Sequence, residues 1–337
     1  MKSLPIFIAT AAFVPSPVRG QTQERIIDMH LHWTVPAVRA AICVPWVSQF
    51  PPWDPGTSSW EDTWGEAMTN PPCSDPIWSP TTEDGVLEQT LEAMERHNMI
   101  GVLNGPPDGV RRWREKAPDR FILGINLRLD RDDLSPDSLR HLFETGDFAV
   151  LGEVENQYGG IAPNDERMEP YWALAEELDI PVAIHVGDGT VGTAHIGFLG
   201  APEYRAGLSN PYALEDVLLR HPKLRICVMH YAAPLVDEMI GVLAAHPQVY
   251  VDIGGMQWYY PRAFFYEHLR KLVEAGFGKR VMFGSDQGDW PGVIEPAIAI
   301  VEEAPFLTSE QKRDIFYNNA ARFLRLDERN PARRREM

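Results

Sequence analysis

Basic residues are scarce in this sequence. Its 337 residues include 31 lysines and arginines against 48 aspartates and glutamates, which gives a formal net charge of −17. Nucleic acids and phosphate-rich partners need a basic surface, so the overall charge argues against both classes of partner. We therefore expect a small-molecule substrate that is neutral or carries few charges, and no nucleic acid. The composition leaves the oligomeric state open, including a homo-oligomer.

Long apolar runs are equally scarce. After residue 20 the sequence has no uninterrupted apolar run of the roughly 18 residues that a membrane-spanning helix needs. Near the N-terminus, Lys2 precedes an apolar stretch at 4–14 and a small residue at Gly20, an order typical of a secretory signal peptide. We predict that residues 1–20 are a signal peptide and that the mature protein is periplasmic or secreted and enters no membrane. The alternative is a cytoplasmic enzyme with an apolar leader.

Cysteines number only three. Cys227 lies in an apolar run and is expected to be a buried thiol. Cys43 and Cys73 lie in one long segment, and an oxidising compartment would allow a disulfide between them. We predict a Cys43–Cys73 bridge that closes this segment.

The segment 41–82 interrupts an otherwise regular pattern. It is rich in proline, serine and aspartate, and it contains the tryptophans Trp46, Trp53, Trp60, Trp64 and Trp78. A disordered linker would be poor in aromatic residues. We predict an ordered insertion that caps the fold and helps to line a pocket. The alternative is a loop that packs on itself without touching a substrate.

The rest of the chain alternates between short β-rich runs and amphipathic segments. Eight strands are predicted at 25–32, 99–105, 121–127, 148–154, 181–187, 225–230, 249–254 and 281–286. Helices are predicted between them, among others at 83–97, 169–179, 212–220, 235–245 and 262–275. This alternation predicts an α/β fold, a (β/α)8 TIM barrel over residues 21–326, followed by a charged tail at 327–337. The alternative is an open, doubly wound sheet, but the first strand lacks the glycine-rich turn that usually follows it there.

Metal-ligand side chains stand at the C-terminal ends of several predicted strands. His30 and His32 end the first strand, and period-two alternation puts them on the same face. Strands four, five, six and eight end at Glu153, His185, His230 and Asp286. These ends converge on one face of a barrel, where barrel enzymes place their active sites. Imidazoles and carboxylates around one cavity are typical of a divalent cation, most often Zn²⁺.

Three stretches carry a family resemblance. The sequences IDMHLH at 27–32, VMFGSD at 281–286 and NNAARFL at 318–324 resemble the amidohydrolase-related (amidohydrolase 2) branch of the amidohydrolase superfamily. The likeness extends from about residue 25 to 326. Membership implies a metal-dependent TIM barrel, and the branch contains hydrolases, lactonases and non-oxidative decarboxylases, so it indicates the site more closely than the substrate.

The resemblance implies roles for individual residues. His30, His32, His185 and Asp286 would bind the metal, one or two ions in number. Glu153 would either bridge two ions or only accept hydrogen bonds. His230 would ligate a second ion or act as a general acid or base, and Asp286 would accept a proton from water. Substrate contacts are predicted for Trp33, Asn104, Arg128, Tyr158, Trp258 and Trp290.

The expected reaction is hydrolysis of an amide, ester or lactone in a small, ring-containing or apolar substrate. The second hypothesis is non-oxidative decarboxylation, which needs a cation for the substrate carboxylate, and Arg128 and Arg205 are the candidates. A third hypothesis, of another class, is a barrel that binds a metal or ligand without catalysis.

Overall fold

The computed structural model describes residues 24–326, so the predicted signal peptide and charged tail lie outside the described residues. Ten strands are found in this range: β1 (Ile26–His32), β2 (Ala41–Ile42), β3 (Ile77–Trp78), β4 (Met99–Asn104), β5 (Phe121–Leu127), β6 (Phe148–Val154), β7 (Val182–His185), β8 (Ile226–Met229), β9 (Val249–Asp252) and β10 (Val281–Met282). Eight of them form one parallel sheet in the order β1-β4-β5-β6-β7-β8-β9-β10.

The first and last strands close this sheet into a barrel. The Met29 amide donates to the carbonyl of Phe283 at 2.9 Å, and the Asp286 amide donates to the carbonyl of His30 at 2.8 Å. Regular pairing in β10 ends earlier than predicted, because the Phe283 amide donates to the carbonyl of Ile315 and Asp286 adopts a positive φ of 53°. The predicted TIM barrel is thus confirmed.

Helices surround the barrel. They are α1 (Trp60–Thr69), α2 (Glu83–Arg96), α3 (Pro107–Lys116), α4 (Pro136–Glu144), α5 (Glu169–Glu177), α6 (Glu215–Arg220), α7 (Val236–Ala245), α8 (Met256–Tyr259), α9 (Arg262–Leu272), α10 (Ile294–Glu302), α11 (Ser309–Arg313) and α12 (Asn319–Phe323). The helix predicted at 212–220 instead begins with a 3₁₀ turn, Pro211–Leu214. Among the described residues, no helix is long and apolar enough to cross a membrane.

Apolar side chains fill both faces of the sheet, as expected for parallel strands covered by helices. Ile27, Met29 and Cys227 belong to the smaller cluster, whereas Leu31 and Val228 belong to the larger one. The predicted buried thiol of Cys227 is confirmed. His30 and Asp28 are also fully buried on β1, so polar groups that serve the site are set into an otherwise apolar strand.

The insertion after β1 is ordered. Its strands β2 and β3 pair antiparallel, and the predicted Cys43–Cys73 disulfide is present with Cα atoms 5.9 Å apart. Trp60 donates its indole N–H to the carbonyl of Val191 at 3.0 Å, and Trp64 donates to Oγ1 of Thr190 at 3.1 Å. The insertion is therefore fixed against the loop that follows β7.

Candidate metal centre and active site

Four ligand-type atoms meet at the C-terminal end of the barrel. Nε2 of His30 lies 3.1 Å from Oε2 of Glu153 and 3.5 Å from Oδ1 of Asp286. Nε2 of His32 lies 3.2 Å and 3.0 Å from the same two oxygens. Strands β1, β6 and the chain after β10 thus bring two imidazoles and two carboxylates together.

These spacings fit a divalent cation. Tetrahedral ligands that are about 2.0–2.1 Å from Zn²⁺ lie roughly 3.3 Å from one another, close to the observed separations. Two overlapping groups have suitable donor atoms, namely His30 with His32 and Asp286, and His30 with Glu153 and His230. The protein therefore has a potential metal site, built of the nitrogen and oxygen donors that zinc and similar ions take.

Asp252, at the end of β9, holds the back of this site. Its Oδ2 atom accepts a hydrogen bond from Nδ1 of His30 at 3.0 Å, while its Oδ1 accepts from the amides of His230 and Gly254 at 2.9 Å each. A histidine whose Nδ1 is a donor presents the lone pair of Nε2. Sequence reasoning missed Asp252, because it lay inside the strand predicted at 249–254, whereas β9 ends at this residue.

His185 and His230 lie on the other side of Glu153. Nδ1 of His185 is 2.8 Å from Oε1 of Glu153 and 3.0 Å from Nε2 of His230. Nδ1 of His230 donates to the carbonyl of Gly254 at 2.8 Å. His185 therefore joins the site through Glu153 and His230. Its own Nε2 is buried and has no hydrogen-bond partner within residues 24–326.

Two of these residues have unusual backbone conformations. His230 has φ 58° and Asp286 has φ 53°. Non-glycine residues seldom adopt positive φ, and such residues cluster at functional sites, where surrounding contacts hold them. The backbone amide of Asp286, bonded to the carbonyl of His30, is one such contact.

The electrostatics of the site favour positive charge. Burial by itself lowers the pKa of His30, but the carboxylates of Asp286, Asp252 and Glu153 outweigh it and raise that pKa well above its usual value. For His32, burial again opposes the rise, and Asp286 and Glu153 raise its pKa to about 10. Protons on imidazoles thus balance the buried carboxylates, and a divalent cation would supply the same charge.

A cavity of about 120 Å³ opens onto this cluster. Predicted substrate contacts Tyr158 and Trp258 line it, and so does Trp46 from the insertion. Its wall also includes the carboxylates of Glu155 and Asp188, which sequence reasoning missed. Burial and the neighbouring Glu153 raise the pKa of Glu155 to about 7.

The other four predicted substrate residues lie outside this cavity wall. Trp33 donates its indole N–H to Glu83 at 2.8 Å, and Trp290 donates to the carbonyl of Ala40 at 3.0 Å. Asn104 is fully buried at the end of β4. Arg128 donates to Asp130 at 2.7 Å and to the carbonyl of Leu199 at 3.0 Å.

Known structures share this architecture. An uncharacterized TIM-barrel protein from Bordetella bronchiseptica has a TM-score of 0.61 and 19% identity, over 90% of this chain and 99% of that one. A probable 2-pyrone-4,6-dicarboxylic acid hydrolase from Acinetobacter baumannii has a TM-score of 0.55 and 14% identity, over 89% and 98%. The 2,6-dihydroxybenzoate decarboxylase from Rhizobium has a TM-score of 0.53 and 16% identity, over 90% and 98%. At these identities the likeness shows the fold.

Sequence comparison identifies the family. A search of curated proteins gave no significant match. A family model described as amidohydrolase matches residues 27–326, which is most of the chain and includes every residue of the potential metal site. The chain therefore belongs to the amidohydrolase family, in the branch called amidohydrolase 2.

Proposed function

We propose that this protein is a metal-dependent hydrolase of a small amide, ester or lactone. The observation that carries the proposal is the ligand cluster at the base of the cavity, where nitrogen and carboxylate atoms lie 3.0–3.5 Å apart. His30, His32 and Asp286 would hold the ion, with Glu153 at the fourth corner, and His185 is proposed as an additional ligand. Zn²⁺ is the proposed ion.

A bound divalent cation makes water acidic enough to yield hydroxide near neutral pH and polarises a carbonyl group. Asp286 has the position of a proton acceptor, since its Oδ1 faces the ligand cluster and its Oδ2 lies 4.0 Å from Nδ1 of His230. A carboxylate so placed can take a proton from water and return it to the leaving group.

His230 is the proposed partner for the substrate oxygen. Nδ1–H of His230 donates a hydrogen bond to the carbonyl of Gly254, which leaves Nε2 as the nitrogen that can contact a substrate. In the metal-free protein, burial lowers the pKa of His230, but Glu153 and Asp286 outweigh burial and raise it. We propose that Nε2 also carries a proton when a substrate is bound. That N–H would donate to the developing oxyanion.

The second candidate is decarboxylation, because the fold is shared with 2,6-dihydroxybenzoate decarboxylase. A decarboxylase needs a cation beside the substrate carboxylate. Arg128 is bound to Asp130, and Arg205 donates to the carbonyls of Pro202 and Tyr204. Neither lines the cavity, and no lysine or arginine of residues 24–326 is part of its wall. Apart from the proposed metal ion, the wall therefore offers no lysine or arginine to a substrate carboxylate, and for this reason we place hydrolysis first.

The pocket walls and the disulfide support two further parts of the proposal. Tyr158, Trp46 and Trp258 suit a substrate with a ring or an apolar group. Disulfides persist in oxidising compartments, so the Cys43–Cys73 bridge supports a periplasmic or secreted location.

The test is a substrate panel with the zinc-loaded protein. Esters, lactones and amides are followed by acid release, and aromatic carboxylic acids by CO₂ release, each with and without a chelator. Chelator-sensitive acid release is expected. Chelator-sensitive CO₂ release would favour the decarboxylase instead, and metal binding without any turnover would favour a non-catalytic barrel.

A further inference from the structure

Beyond the potential metal site, the cavity wall combines carboxylates with aromatic rings. Glu155 and Asp188 provide the carboxylates, and the rings come from four residues of three separate segments: Trp46, Tyr158, Trp258 and Tyr259. Among the residues that the structure describes, no lysine or arginine is part of this wall. The part of the wall beyond the histidines therefore consists of acidic and aromatic side chains.

Glu155 lies directly after β6 and lines the same cavity as Glu153. Its backbone amide donates to the carbonyl of Leu127 at 2.9 Å, which fixes this part of the chain to the end of β5. Glu153 and Glu155 therefore border the same space.

The carboxylate of Glu155 has no hydrogen-bond or ion-pair partner within residues 24–326. Two basic side chains, His32 and Arg128, act on Glu155. Arg128 donates to Asp130 at 2.7 Å, and Nε2 of His32 lies against Glu153 and Asp286. Asp188 accepts a hydrogen bond from the hydroxyl of Tyr260, a neutral donor. Within the described part of the chain, Glu155 and Asp188 thus form no ion pair with a lysine or arginine.

The rings enclose the same space. The rings of Trp46 and Trp258 are 5.5 Å apart, and those of Trp46 and Tyr259 are 5.7 Å apart and edge to face. Trp46 is nine-tenths buried, and its indole N–H has no acceptor within residues 24–326. Aromatic faces attract cations, and tryptophan does so most strongly, above all where water is excluded.

We propose that this part of the cavity binds an organic ammonium group, so that the substrate is an amide or ester that carries an amine cation close to the bond that is cleaved. The carboxylates of Glu155 and Asp188 supply the opposite charge, and the rings of Trp46, Trp258 and Tyr259 supply cation–π contact. A substrate with a carboxylate at this position is disfavoured. The assignment of a substrate class rests on the proposed hydrolase function, whereas the ammonium site itself does not.

Binding is the direct test, because it does not require turnover. Choline and 3,3-dimethylbutan-1-ol have the same shape, but only choline is charged, and its quaternary nitrogen cannot ligate a metal. Titrations of zinc-loaded protein at pH 8, followed by tryptophan fluorescence, should show choline binding at least about tenfold more tightly. Equal binding, tighter binding of the alcohol, or no binding of either would overturn the proposal.

Variants identify the residues responsible. Glu155→Gln should reduce the preference for choline to within about twofold while the alcohol binds as before, and Asp188→Asn should reduce it in the same direction. Glu166→Gln is the matched control, since Glu166 is exposed and outside the wall, and it should leave the preference unchanged. A preference that survives both Glu155→Gln and Asp188→Asn would overturn the assignment.

Turnover then tests the substrate class. Glycyl-4-nitroanilide and propionyl-4-nitroanilide differ by an ammonium in place of a methyl group, and kcat/KM should favour the glycyl compound about tenfold. If choline is preferred but neither anilide nor any ester is cleaved, only the hydrolase proposal fails. If both anilides are cleaved equally, the ammonium proposal fails and the hydrolase proposal stands.

Discussion

Nδ1 of His30 lies 3.0 Å from Oδ2 of Asp252, 222 positions later in the chain. Both oxygens of Asp252 accept hydrogen bonds. In Asp252→Asn, the N–H₂ group must therefore face either Nδ1 of His30 or the two backbone amides, all of which are donors. We expect zinc affinity to fall about 10–100-fold, as is typical when such a partner of a ligating histidine is removed. Competition with a zinc indicator measures this fall. Unchanged affinity would contradict the proposed orientation of His30.

Glu153 stands between two groups of histidines. Its Oε2 faces His30 and His32, and its Oε1 faces His185 and His230. We expect about one zinc ion per chain, because the charges of Glu153 and Asp286 together match one divalent cation. Glu153→Gln should weaken binding, whereas Glu155→Gln should retain the ion, as mass spectrometry of the purified proteins would show. Two ions per wild-type chain and one in Glu153→Gln would instead identify Glu153 as a bridge.

Asp286 is proposed to have two roles, which can be separated. Asp286→Asn keeps an oxygen that can coordinate, but it removes the proton acceptor. We expect the metal to be retained and kcat to fall by at least about 100-fold. His30→Ala is the comparison, since it should lose both metal and activity. Near wild-type turnover in Asp286→Asn would exclude it as the base.

The Cys43–Cys73 bridge closes a loop, and the two cysteines are 30 positions apart in the sequence. Trp46 lies inside this loop, three positions after Cys43. The chain-entropy model assigns roughly 3–4 kcal/mol to a loop of this length. We expect the Cys43→Ser/Cys73→Ser double variant to raise KM more than it lowers kcat, because Trp46 lines the cavity. Steady-state kinetics measure this, and reductant should affect the wild type but not the variant. Equal KM values would show that the insertion does not shape the pocket.

We expect the stability of the metal-free protein to depend on pH because of Asp28. Its Oδ1 accepts from the amides of His30 and Ser285, while burial raises its pKa from 3.8 to about 6. A raised carboxyl pKa means that the folded state binds more protons, so stability falls as the pH rises from about 4 to 6. Asp28→Asn should lack this loss, which amounts to about 3 kcal/mol.

Urea unfolding of both metal-free proteins from pH 4 to 7 checks this expectation. The difference in unfolding free energy should shift in favour of Asp28→Asn with rising pH. A difference that is constant across this range would contradict the raised pKa.

The barrel and the convergence of ligand-type side chains could be predicted because both depend on local regularities. Alternating strands and helices imply the barrel, and strand ends must converge, which brought His30, His185 and Asp286 to one face. Asp252 was missed because its strand was predicted to continue to residue 254, which made the carboxylate look internal. Glu155 was missed because it lies one residue beyond the predicted strand end. Outside a strand, the sequence does not predict towards which side of the sheet a side chain points.

Side-chain direction explains the residues that were predicted to contact substrate but lie elsewhere. Trp33 follows His32, so period-two alternation turns it away from the metal cluster, and it binds Glu83 instead. Arg128 finds an acid two residues later, at Asp130. The insertion was predicted to help line a pocket, but its path had no periodic pattern. Which of its five tryptophans lines the cavity, namely Trp46, therefore required the structure.

Closure of the barrel through its first and last strands has a consequence for biosynthesis. Asp28 receives a hydrogen bond from the amide of Ser285, 257 positions later. Because synthesis proceeds from the N-terminus, His30 and His32 leave the ribosome long before Asp286 exists. The proposed ligand set is complete only when the last strand has docked, so metal loading would be a late step of maturation. In an exported chain, the ion would then come from the compartment in which folding ends.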